Sequence, residues 1–175
     1  AYPVARGLVT VTRLTLATLS ALHRQLRHGP YHIFHFIGHG RFDQSTQAGV
    51  LGLEDDNGLL RLVDGSQLGA LLHDHRSLRL AVLNSCEGAR TGPNDPFAGI
   101  AQTLVQQGIP AVIAMQFEIT DGAAITLAHE FYTALADGDP VDTALAEARK
   151  AIYAAGNDVE WGTPVLYLRA SNGRI

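Results

Sequence analysis

The spacing of apolar residues changes several times along this chain, and each change marks an element. Over residues 14–26, Leu14, Leu16, Leu19, Leu22 and Leu26 recur at intervals of two to four, which suits one face of a helix, and His28-Gly29-Pro30 closes it. Residues 31–37 form a β-rich run that is apolar on both parities, the pattern of a strand covered on both faces in a parallel sheet. The runs 50–53 and 59–63 flank Glu54-Asp55-Asp56-Asn57-Gly58, and Asn-Gly between apolar runs predicts a small antiparallel hairpin. Asp64 is placed to cap a helix reaching about Leu72, and residues 78–83 read as a second buried strand. Turn formers fill 88–96. Then come a helix over 97–107 closed by Gly108, a strand over 111–117, a long helix over 121–135 stopped near Gly138, a helix over 141–155 and a terminal strand over 165–168. Strands alternating with helices of this length predict βαβ crossovers and an α/β domain whose mainly parallel sheet lies between helical layers.

Composition narrows the class. The 175 residues, 46% hydrophobic and 17% charged, suffice for one core, so residues 1–175 read as a single domain. A helix-like segment so close to the first residue suggests a C-terminal piece of a longer, multidomain protein. The formal net charge of −4 offers no basic footprint for nucleic acid or an anionic membrane. No apolar run approaches a membrane span, and the start lacks the plan of a signal peptide, so a cytoplasmic location is the default expectation.

The one cysteine, Cys86, excludes an internal disulfide and a multi-thiolate zinc site. It is either buried filler or a nucleophile. In open α/β sheets functional groups collect beyond the carboxyl ends of the strands. His39, between Gly38 and Gly40, follows one strand and Cys86 follows the next, so parallel neighbours would bring imidazole and thiol to one edge. That pairing suits thiolate attack, because imidazole titrates near neutrality and an ion pair lowers a thiol pKa. The backbone amides of Gly40 and Cys86 are then available to a developing oxyanion. His35, inside the first strand, reads as a core histidine or a brace for this edge. His73 and His75 read as solvated helix-end groups, and no metal is expected. Asp43 suits either a loop amide or the histidine turn. Glu54, Asp55 and Asp56 read as soluble turn residues, and Phe131, Tyr132 and Leu135 as core. No phosphate loop occurs, and no cofactor is expected.

The segments HFIGHGRFD, AVLNSCEGAR, DPFAGIAQTLVQQGIPAVIAMQFEITD, EFYTALADGDPVDTALAEARKAI and EWGTPVLYLRA resemble, in order, the successive motifs of the CHAT domain across residues 14–170. That family is similar to caspases and separase. The resemblance implies a caspase-like three-layer α/β/α sandwich with a mainly parallel sheet and a small β-hairpin. It implies that His39 is a general base, Cys86 a nucleophile and Gly40 an amide of the oxyanion hole. His39 and Cys86 lie 47 residues apart, close to the roughly 50 of caspases, although NSCEG replaces the caspase pentapeptide. Asp121 stands where separase-like relatives place an acidic residue facing a basic P1 side chain; otherwise it is an N-cap.

The activity implied is that of a cysteine endopeptidase acting on a protein or peptide substrate through a thioester. Its partners would be regulatory modules such as TPR repeats on the same or an associated chain. Two other readings stay open: a catalytically silent docking or signalling module of the same fold, and a small-ligand α/β domain in which the Cys86 thiol plays no part.

Overall fold

The computed structural model describes residues 7–85, 96–169 and 173–175. In chain order the elements are α1 (Leu19–Leu26), β1 (Ile33–Gly38), β2 (Gly40–Asp43), β3 (Ala48–Glu54), β4 (Leu60–Asp64), α2 (Gly65–Leu72) and β5 (Leu80–Ser85). They continue with α3 (Pro96–Gln106), β6 (Ala111–Met115), α4 (Asp121–Ala136), α5 (Val141–Ala154), a 3-10 turn (Glu160–Gly162) and β7 (Pro164–Leu168). The central sheet runs β1-β5-β6-β7, parallel but for β7, which returns antiparallel to β6. A separate antiparallel sheet has the order β2-β3-β4.

Alternation along the central strands builds three layers. On one face Phe36, Ala81, Leu83, Val112 and Ala114 pack with α1, α2, α3 and the small sheet. On the other, Leu80, Val82, Ala111, Ile113 and Met115 pack with α4 and α5. A strand apolar at every position, such as β6 with its five buried residues, belongs between two such layers.

The sequence expectations held for the α/β class, the mainly parallel sheet and the order of elements, and three local features differ. The first helix begins at Leu19, not Leu14. Thr18 caps it through its hydroxyl, which accepts from the Ala21 N–H at 3.0 Å, and the chain before it is spent on β3, where the Glu54 N–H donates to the Ala17 carbonyl at 2.9 Å. The hairpin is two strands of a three-stranded sheet, because the chain after β1 pairs with β3 as β2. Its tip is not a two-residue Asn-Gly turn. Asp55 Oδ1 accepts from the N–H groups of Asn57 and Leu59, at 2.8 and 2.9 Å, and only Gly58 of the tip takes a positive φ.

Asp64 caps α2 as expected, in a capping box completed by Gln67. Among the described residues no helix is long and apolar enough to cross a membrane.

Candidate active site

Parallel pairing of β1 with β5 sets Ile37 opposite Asn84 and Gly38 opposite Ser85. Both strands therefore end level, at the carboxyl edge of the central sheet. His39 is the one residue between β1 and β2, the point where the chain passes from the central sheet to the small one. Its carbonyl accepts from the Gly52 N–H at 2.8 Å, which anchors its backbone on β3 while its side chain stands exposed. Cys86 follows Ser85 in the chain and lies outside the described residues, as does the predicted loop up to residue 95.

The bond from Gly52 to His39 also fixes the phase of the β2–β3 ladder. In an antiparallel pair, residues facing the partner strand alternate with residues whose N–H and C=O point away. His39 faces β3, so Gly40, one residue on and opposite Leu51, turns its N–H toward the outer edge of β2. Gly40 is buried against α3. A Cβ built there would stand 2.4 Å from Phe97 Cζ, a contact only glycine avoids.

Further along the same edge, β6 hands over to α4. Gln116 ties this corner to the approach of β7, its N–H donating to the Thr163 carbonyl at 3.0 Å and its side-chain amide to the Gly162 carbonyl at 2.7 Å. The N-cap of α4 is Thr120, not Asp121, which is exposed as the first helical residue. Glu160 accepts from both the N–H and the hydroxyl of Thr120 and from the Asn157 amide. Partial burial works against its charge, but these bonds outweigh it and hold the carboxyl below its ordinary pKa. Trp161 keeps its indole N–H on the Asp158 carbonyl. Asp43 serves a loop, accepting from the Ser45 N–H and hydroxyl at 2.9 and 2.7 Å. His73 caps the end of α2 and sits 2.6 Å from the Gln107 carbonyl.

Beneath the edge, on the α4 side, lies a polar cluster that the sequence reading left unassembled. His35 Nδ1 is 2.8 Å from the Tyr132 hydroxyl. The expectation of a satisfied core histidine holds for one ring nitrogen only: Nε2 is enclosed and has no partner among the described residues, and the same is true of Asn84 Oδ1. His35, Asn84 and Tyr132 line one small cavity together with apolar side chains such as Val82, Leu127 and Phe131. Burial lowers the His35 pKa to about 4 and raises that of Tyr132. The available signal was Asn84 itself, a polar residue closing an apolar run two positions before Cys86.

This edge sits within a sequence that matches the CHAT domain over residues 3–167, nearly its whole length. The chain belongs to the CHAT domain family. It is therefore a caspase-like, peptidase-related domain. No curated protein matches the chain.

Proposed function

We propose that this CHAT domain is a cysteine endopeptidase in which His39 and Cys86 act as a dyad. The observation that supports the reading is the pairing of Gly38 with Ser85: two parallel strands end side by side, and the residues that continue them are a histidine and the chain's one cysteine. In this mechanism His39 takes the proton of the Cys86 thiol, and the thiolate sulfur attacks the scissile carbonyl carbon of an extended peptide. The carbonyl electron pair moves onto oxygen, where the outward N–H of Gly40 stabilises it. As the C–N bond breaks, the imidazolium returns its proton to the leaving amine. Water, deprotonated by His39, then hydrolyses the thioester and frees the thiol. Asp121, exposed beyond β6 on the same side of the sheet, is the candidate acidic group for a basic P1 side chain. Attached sensor or scaffold modules would govern access to this edge.

The test uses alkylation, because the thiolate is the reactive species and a single cysteine leaves no background. The rate of iodoacetamide alkylation of Cys86 is followed against pH in the native chain and in His39→Ala. A dyad gives a rate plateau at pH values well below the ordinary thiol pKa of about 8.5, and His39→Ala removes that plateau. Identical, thiol-like profiles in both proteins would sink the peptidase reading.

A further inference from the structure

We propose that one buried water bridges His35 Nε2 and Asn84 Oδ1, completing a chain Tyr132–His35–water–Asn84 that locks the ends of β1 and β5 in register and so positions His39 and Cys86. The positioning role rests on the peptidase reading; the water site does not.

Three observations carry the site. Both atoms are enclosed, both lack a hydrogen-bond partner among the described residues, and both side chains belong to residues that line the same cavity. A buried polar atom left unpaired forfeits its hydration without a replacement bond, so two such atoms on residues lining one space call for a bridging group. The cavity, about 10 Å³, has the room of a single water molecule.

The tautomer follows from bond accounting. Among the described residues the Tyr132 hydroxyl has His35 Nδ1 as its hydrogen-bond partner. If Nδ1 carried the proton, the tyrosine O–H would be buried without an acceptor. The hydroxyl therefore donates to Nδ1, and the ring proton sits on Nε2. Nε2–H is then a donor and Asn84 Oδ1 an acceptor, and a water between them accepts from the first and donates to the second. The depressed His35 pKa agrees with a neutral ring.

Position gives the site its consequence. Asn84 is two residues before Cys86, His35 four before His39, and their strands are neighbours through the His35–Val82 pair. Tyr132 extends the tie to α4. A bridge at this level fixes how far the two strand ends can shear or splay, and small misplacements of a reacting pair are costly in rate.

The experiment has two arms. A high-resolution crystal structure of the chain is expected to show water density within about 3 Å of both atoms, and ring ¹⁵N shifts are expected to give Nε2–H, with Tyr132→Phe disturbing that tautomer. No such density, or a native ring protonated on Nδ1, overturns the site. In the second arm Cys86 alkylation is profiled against pH in His35→Phe, which cannot hold the water, and in His35→Gln, which keeps an amide donor near Nε2. We expect His35→Phe to slow alkylation at neutral pH about tenfold or more and to move the profile toward that of a free thiol, with recovery in His35→Gln. A native profile in a folded His35→Phe overturns the positioning role. If His35→Phe does not fold, Asn84→Ser is read the same way. If His39→Ala leaves alkylation unchanged, the peptidase reading and the positioning role fall together, while the water is still decided by density and ring shifts.

Discussion

Gly40 shows how one residue type serves both packing and chemistry. Phe97, nearly fully buried, fills the space where a Gly40 side chain would stand, so the close approach of β2 to α3 requires the missing Cβ. Gly40→Ala must push a core ring out of its place, and overpacking of this kind costs about 1–3 kcal/mol. Gly122, in the first turn of α4, is the contrast: a Cβ there meets nothing within 4 Å. Gly122→Ala is expected to stabilise by about 0.5–1 kcal/mol through helix propensity. Urea midpoints moving in opposite directions for the two variants would check both arguments. At this scale the placement of His39 and Gly40 just past the end of β1 was legible because glycine on both sides of a histidine is a short, local signal. The His35–Tyr132 bond was not, since its partners lie 97 positions apart and only the docking of α4 on the sheet brings them together.

The start of α2, set by a side chain on the adjacent backbone, was read from the sequence with little error. Asp64 accepts from the Gln67 N–H at 2.8 Å while the Gln67 side chain answers to the Asp64 N–H, and α2 starts where the sequence placed it. Asp64→Ala removes that cap and is expected to lower stability by about 1 kcal/mol, measured by urea unfolding at neutral pH, with Asp64→Ser restoring most of the loss. Elements defined by a tertiary partner were missed or misplaced. The strand Gly40–Asp43 carries no clear apolar alternation and exists because β3 offers it a pairing edge, with Gly40 opposite Leu51 and Asp43 opposite Ala48. The leucine spacing before Leu19 looked helical, yet Ala17 bonds to Glu54 and Thr18 ends the extended segment. The hairpin that Asn57-Gly58 predicted does form, and at its tip the Asp55 carboxylate gathers two N–H groups and makes a longer turn.

Across the whole molecule, two apolar layers share one sheet, and a titratable residue placed inside either layer ties folding to pH. His35 is that residue on the α4–α5 side, its pKa lowered by burial from 6.5 to about 4. Between these values the unfolded chain binds a proton at His35 and the folded chain does not, so acidification favours the unfolded state. The neutral ring's contribution is fully present above pH 6.5 and is lost as pH falls toward 4. Full expression of the shift corresponds to no more than about 3 kcal/mol, less whatever the partly accessible ring regains from solvent. His35→Gln cannot titrate, so its stability should fall less than that of the native chain on going from pH 7 to pH 4.5. The difference between the two losses isolates His35 from every carboxylate and histidine the proteins share. Urea unfolding at a series of pH values measures it, and parallel curves for the two proteins would show that the ring is protonated as readily in the folded chain as in the unfolded one.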